Sequence, residues 1–430
     1  MAETKGIRDL LRPLKRAPGL YRPNHDQNLF MVLPTAFDAI GLENERRSLY
    51  HNKRCKRILE GNECRDVKNV VFVVIDSCGI AQFALSNKLK RIYNGLGSFP
   101  LSSIFPTTTS TAIASIACGL PPEKHGVVGH KIYVEEVGAL VDTLRASVAD
   151  KRRDSLHHAG VDLRNLMWSK PMYSDLGEGA LYVELLQWGI ARTGLSHFLG
   201  VESRTLGFID LIDAFSMTKK LLKKKEEKLI VHVYVHLLDS LGHKYGPYSK
   251  EYRLGLRRIE EDLVRFIRSL RGRIEDQTVL MVVSDHGHDL LDPEKRVEIT
   301  REEIDIIGEH LRVRPGTSGR VRHFYVKESH IDEFVGFMED RIVDRGRLLG
   351  YDEVRRELMM GVGGQDRARA RIGDYVFVSY SGVDLRIKRE EEAPPPILEE
   401  EYVSSHGSLT LNEIAVPFIS ARIPLIKQII

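Results

Sequence analysis

Asp285 and His286 sit in VVSDHGH, directly after the apolar run Val279–Val283. A carboxylate beside an imidazole suits a divalent cation such as zinc, although polar residues also mark the ordinary end of a strand. Further ligands have to come from elsewhere in the chain. Asp76 ends the run VVFVVI (70–75), and Asp239 opens DSLGHKYGP with His243 four residues on. His406 lies in the glycine-flanked SSHGS. An Asp ending a strand is more often a cap or a turn former than a ligand. Three Asp and three His together are enough for two metal sites with oxygen and nitrogen ligands.

A metal pair also needs something to attack with. The segment FPTTTSTAIASIACGLPPEKHG (105–126) offers a cluster of hydroxyls in a loop that leads into a helix. A Thr hydroxyl there can be activated by metal coordination, and a phosphoryl oxygen would meet free N–H groups at the helix start. The same Thr and Ser residues can equally be N-caps.

These residues need a scaffold that brings strand ends together. VVFVVI (70–75) and LIVHVYVHLL (229–238) are short, apolar and β-branched, as strands buried on both faces should be. An amphipathic stretch at 250–274 reads as a long helix ahead of the strand that ends at Asp285. Strand, helix and strand in that order imply an α/β fold with a mostly parallel central sheet, whose ligand sites lie at the carboxyl ends of the strands. Residues 28–42 read as a helix that Pro34 interrupts, 111–120 as a helix ended by Gly119, and 175–228 as several amphipathic helices. The charge run 219–228 reads as a solvated helix end. Residues 1–20 form a basic N-terminal extension, loose or helical. Residues 305–403 change character and read as a smaller α+β insertion or cap, with an exposed acidic, proline-bearing loop at 389–401. The main domain comprises 21–304 plus 404–430.

The chain has 430 residues, 42% hydrophobic and 29% charged, as a sizeable globular core requires. A net charge of +3 does not argue for nucleic-acid binding. Cys55, Cys64, Cys78 and Cys118 form no CxxC pair and are expected as reduced thiols. Without a secretory signal, or an apolar stretch near the roughly 18 residues of a span, the expected location is the cytoplasm, with no membrane partner.

In this order, Asp76, FPTTTST with GLPPEKHG, DSLGHKYGP, SDHGH and SSHG resemble the alkaline phosphatase superfamily, and within it the type I phosphodiesterase/nucleotide pyrophosphatase family. The resemblance covers most of 21–300 and 404–420 and implies an alkaline-phosphatase-like catalytic domain. It implies two divalent metals, zinc in the first place with manganese as another choice, and a small phosphodiester or nucleotide substrate. It carries the nucleophile onto Thr109, ten residues before Gly119. It assigns Asp239, His243 and His406 to one metal and Asp76, Asp285, His286 and Thr109 to the other. His288 falls outside the set and is expected to face solvent in the first place, or else to support the ligands from behind.

Two departures bear on substrate. Where the nucleotide pyrophosphatases carry an Asn that holds a phosphoryl oxygen, this chain has His130, an imidazole able to donate a hydrogen bond. The family's Lys-Thr-Phe-Pro-Asn becomes Thr108-Thr109-Ser110-Thr111-Ala112. The expected activity is phosphodiester or pyrophosphate hydrolysis through a phosphothreonine, with residues 305–403 placed to help bind the second substituent. The alternatives are a phosphomonoesterase or phosphonate hydrolase of the same superfamily, and a protein that binds metal or ligand without turnover.

Overall fold

Alternate residues of the strand Asn69–Ile75 face opposite sides of a sheet, and both sides are buried. Val70, Phe72 and Val74 join one apolar core, while Val71, Val73 and Ile75 join another. The computed structural model describes residues 7, 10–201, 204–224, 227–360, 367–387 and 402–430. Its central sheet has seven strands: β1 (Asn69–Ile75), β2 (Phe99–Ser102), β3 (Ala180–Gln187), β4 (Thr205–Phe208), β5 (Lys228–Val235), β6 (Thr278–Val283) and β7 (Ala415–Arg422). They run in the order β2-β7-β6-β1-β5-β3-β4. The pairs from β6 to β4 are parallel, and β7 is antiparallel to both β6 and β2. The fold is therefore α/β with a mostly parallel sheet, and β1, β5 and β6 lie side by side with their carboxyl ends together.

Several elements differ from the sequence reading. Strands β3 and β4 lie within 175–228, where only helices are expected; ALYVELLQ is rich in helix formers, and burial against β5 overrides that preference. Strand β5 stops at Val235, so Asp239 falls in the first turn of the helix Leu237–Tyr245. The long helix ends at Ser269, and Arg273–Asp276 forms a separate turn beyond Gly272, whose φ is 56°. Pro34 sits in the first turn of Val32–Ala39, where its missing N–H leaves no gap in the helix. Arg12–Pro13 pairs with Tyr21–Arg22, and Leu10, Leu11 and Leu14 are buried, so this part of the extension packs on the core.

A second seven-stranded sheet takes four strands from 311–379 and three from 131–148. Thr317 pairs with Lys131 where the two sets meet. The acidic run 389–401, the first six residues and two positions of the charge run 219–228 lie outside the described residues. Among the described residues no helix is long and apolar enough to cross a membrane. All four cysteines are buried, and none is in a disulfide among the described residues.

Candidate metal centre

Each site residue stands where a strand hands over to a loop or helix. Asp76 follows β1, and Asp285 and His286 follow β6. Asp239 and His243 are one helical turn apart on Leu237–Tyr245, with His243 Nε2 3.3 Å from Asp239 Oδ1. His406 is carried in by the loop before β7. Close backbone packing fixes these loops: a Cβ on Gly287 would stand 2.0 Å from Asn412 O, and one on Gly407, at φ 115°, 2.0 Å from Ser318 O.

The threonine run divides its labour. Thr107 staples the His406 loop, donating its N–H to Gly407 O (3.1 Å) and its hydroxyl to Ser408 O (2.8 Å). Thr108 holds the N-cap position of the helix Thr109–Cys118, but its side chain makes no cap hydrogen bond. Thr109 is the first helical residue, with Oγ1 3.2 Å from His286 Nε2. The helix ends at Gly119 in the left-handed region (φ 63°), and His125 of GLPPEKHG pins it through Ser115 Oγ at 2.9 Å.

The residues gather into two groups, each with ligand atoms within 4.8 Å of one another: Asp76, Asp285 and His286, and Asp239, His243, His288 and His406. In the first, Nδ1 of His286 lies 3.2 Å from Gly287 O, a carbonyl that can only accept, so the ring proton resides on Nδ1. Nε2 is then a lone pair, facing Thr109 Oγ1, Asp285 Oδ2 (3.4 Å) and Asp76 Oδ1 (3.6 Å). Asp285 Oδ2 is buried and meets no hydrogen-bond donor. Oxygens and a nitrogen lone pair crowded in this way suit a divalent cation. Burial, then the neighbouring Asp285 and Asp239 charges, push the Asp76 carboxyl well above its usual range. Burial pushes Asp285 up to about 7. Burial alone would lift Asp239 as well, but His243, His288 and His406 reverse this and hold it well below the carboxylate range.

His288 differs from its expected place: it is completely buried, with Nε2 3.1 Å from Asp239 Oδ1. Two further side chains have no signal in the local pattern. Ser77 Oγ lies 2.8 Å from Asp239 Oδ1 and 3.2 Å from Asp76 Oδ1, bridging the groups, and the Tyr234 hydroxyl donates to Asp76 Oδ2. His130 belongs to neither group. Its Nε2 is 3.2 Å from Asp142 Oδ1 and its N–H donates to Ser318 Oγ. Its backbone links to the nucleophile segment through Thr143 Oγ1, which is 3.0 Å from His130 O and 2.8 Å from Ser110 Oγ.

A cavity of about 300 Å³ opens beside the centre. Thr109, Asp76 and Asp239 line it together with the aliphatic Ile113, Leu186 and Leu199. Its lining comes from residues 76–240, and no described residue of 305–403 takes part in it.

Residues 70–409 match the model of the family described as type I phosphodiesterase / nucleotide pyrophosphatase. Among curated proteins, ectonucleotide pyrophosphatase/phosphodiesterase family member 3 of Bos taurus is 27% identical over 206 residues, which is 47% of this chain and only 22% of that protein. The fold is shared with murine ectonucleotide pyrophosphatase/phosphodiesterase 5 in an inactive form carrying a Thr-to-Ala substitution, in complex with AMP. That match has a TM-score of 0.59 and 15% identity, and covers 82% of this chain and 87% of the other. It is also shared with phosphonoacetate hydrolase from Sinorhizobium meliloti 1021 in complex with phosphonoformate, at TM-score 0.59 and 19% identity, covering 84% and 95%.

Proposed function

We propose a function from one premise: the chain belongs to the type I phosphodiesterase / nucleotide pyrophosphatase family. It hydrolyses a phosphodiester or pyrophosphate bond in a small substrate such as a nucleotide ester, by transfer through Thr109. The observation that carries this is the placement of Thr109 Oγ1, at a helix N-terminus, 3.2 Å from His286 Nε2 and on the wall of a cavity it shares with Asp76 and Asp239. The inactive Thr-to-Ala form of the murine relative supports a threonine in that role.

Two divalent ions, zinc in the first place, fit the two ligand groups. When bound, an ion held by the Asp76–Asp285–His286 group would polarise a phosphoryl group and favour ionisation of the Thr109 hydroxyl beside it. The chain supplies the rest. The N–H groups of Thr109, Ser110 and Thr111 precede the first intrahelical bond, from Ala112 N–H to Thr108 O, and can take phosphoryl oxygens. Thr109 Oγ1 attacks phosphorus; the new O–P bond forms, the bond to the leaving oxygen breaks, and the hydroxyl proton passes through solvent to the departing alkoxide. Water then attacks the phosphothreonine: its oxygen joins phosphorus, the bond from phosphorus to Thr109 Oγ1 breaks, and a proton from the water restores the Thr109 hydroxyl. The aliphatic cavity wall takes the organic substituent. Four free, buried thiols support a reducing, cytoplasmic setting.

A diester brings one charge to the transferred group; no Arg lies in 102–123, and Arg153, which lines the cavity, donates to Leu144 O at 3.5 Å. Bis(p-nitrophenyl) phosphate should therefore exceed p-nitrophenyl phosphate and phosphonoacetate in kcat/KM, the ratio that reports transition-state discrimination. A higher value for the monoester or the phosphonate would replace the diesterase assignment with the corresponding phosphatase or phosphonate hydrolase.

A further inference from the structure

Three imidazoles converge on one carboxylate oxygen. The Nε2 atoms of His288, His243 and His406 lie 3.1, 3.3 and 3.5 Å from Asp239 Oδ1. Their far nitrogens show which atoms carry protons. Nδ1 of His243 lies 2.9 Å from Ser404 O, and Nδ1 of His406 lies 2.9 Å from Thr107 O. Carbonyls only accept, so both rings are protonated on Nδ1.

His288 reaches the same state by a longer route. Its Nδ1 is 2.9 Å from Ser404 Oγ, which in turn lies 2.5 Å from Gly242 O. The single hydroxyl hydrogen is committed to that carbonyl, so Ser404 Oγ accepts from His288 Nδ1–H. The face of the ring lies against Gly242, where an added Cβ would stand 3.1 Å from Nε2. The ring is thus fixed in both plane and tautomer, with its Nε2 lone pair aimed at Asp239.

Three lone pairs around one anionic oxygen repel one another unless something positive joins them. Three imidazoliums would not serve, because the ring centroids are only 4.6 to 5.3 Å apart and share one carboxylate. A single divalent cation answers all four groups. Resting on the metal-dependent reading above, we propose that His288 is a fourth protein ligand. The Asp239 centre is then a closed shell of three nitrogens and one oxygen, and only the Asp76–Asp285–His286 centre keeps positions for substrate. Closed four-ligand sites hold zinc as structural sites do, whereas catalytic sites keep a position open.

The test is metal retention and the Co²⁺ spectrum, measured on the whole protein without substrate. Wild type, loaded with two ions and dialysed against a chelator, should lose one readily and keep the other. The Co²⁺ form of the retained site should show the intense visible absorption of a four-coordinate ion. His288→Gln keeps a hydrogen-bond donor for Asp239 but removes the imidazole; it should weaken retention by about tenfold or more and dim the absorption as water enters. Ser404→Ala leaves the ring but takes away its Nδ1 acceptor, and should give a smaller loss, which keeps the test usable where the first variant folds poorly. Two ions in wild type with unchanged affinity and spectrum in both variants would overturn this proposal alone, leaving His288 a hydrogen-bond donor. Failure of wild type to take two ions would overturn it together with the two-metal reading.

Discussion

Two buried charge clusters lie within a few residues of each other and behave oppositely. In one, the fully buried Arg320 stands 3.0 Å from Asp289 Oδ2 and 2.9 Å from Glu413 Oε2. Its remaining N–H groups reach Val383 O and Tyr380 O. Glu413 also accepts from Ser408 N–H and the Thr410 hydroxyl, and Asp289 accepts from Asn412 Nδ2. Burial lifts the Glu413 carboxyl there as it lifts Asp76 and Asp285 in the other cluster, but Asp285 Oδ2 has no donor, and Asp76 faces the Asp285 and Asp239 charges in place of an arginine. The Arg320 cluster is completed by the protein and ties the second sheet to the segments that flank the site. The aspartate cluster is left incomplete. A buried charge that the chain finishes is a joint; one that it leaves open is a place for a ligand.

The largest effect should come from the reacting atom. Thr109→Ala is expected to cut turnover on the order of a thousandfold or more while metal content and unfolding temperature stay near wild type. Thr108→Ala, which deletes a hydroxyl that caps nothing, should stay within a few-fold. Activity of Thr109→Ala close to wild type would move the nucleophile elsewhere in the run.

Arg320→Met tests the joint. It strands Asp289 and Glu413 without their cation, and should lower unfolding stability by about 3–5 kcal/mol whether or not metal is present. Asp285→Asn tests the open cluster and should do the reverse in chelator-treated protein. Removing one of two crowded carboxylates and adding a donor should raise stability by about 1 kcal/mol while abolishing metal binding there. Denaturant midpoints with and without chelator decide it. Destabilisation of the metal-free protein by Asp285→Asn would mean that the aspartate cluster also holds the fold together by itself.

The same contrast explains what the sequence could disclose. Asp76, Asp239 and Asp285 are legible because each follows an apolar run, and runs ended by an acid are visible locally. His243, four residues after Asp239, and Thr109, ten residues before Gly119, are assigned by the family resemblance. His288 was expected in solvent because nothing in SDHGH tells which side chains of the loop turn inward; Ser404 and Gly242, 116 and 46 residues away, decide it. Ser77 and Tyr234 are equally silent, since each acts only once β1 and β5 lie side by side. Strands β3 and β4 escaped because ALYVELLQ has the composition of a helix and becomes a strand by pairing with β5. The extra strands at 131–148 pair with residues about 180 positions later, a distance no local period reveals.

Chelation should separate the two clusters directly. Saturating zinc at about a hundred times its dissociation constant contributes about 2.7 kcal/mol at the readily exchanged Asp76–Asp285–His286 site, and chelator should remove that increment. Arg320→Met should lose the same increment as wild type, because its cluster holds no ion. An increment that vanished in Arg320→Met would show that the joint also shapes the site, and that the clusters are coupled.

The smallest effect extends the comparison to histidines. His323, in the second sheet, is as buried as His286, but both of its nitrogens are answered by neutral groups. Nδ1 donates to Ile372 O at 2.9 Å, and Nε2 accepts from Ser318 Oγ at 2.9 Å. Its neutral form is complete, and burial, with the nearby Arg322 charge opposing protonation further, lowers its pKa to about 4. The unfolded chain titrates this ring near 6.5, so between pH 6.5 and 4 the unfolded state binds the extra proton. Stability from this residue is therefore fully present above pH 6.5, falls as the pH drops toward 4, and is level below that. From pH 7.5 to 5.0 the loss should be about 2 kcal/mol. In His323→Gln, compared with wild type in chelator, the fall in stability over that interval should shrink by the same amount, since His25 and His125 titrate equally in both proteins. An unchanged pH dependence would mean that His323 takes up its proton in the folded state, and that its surroundings are as open to positive charge as those of the metal centre.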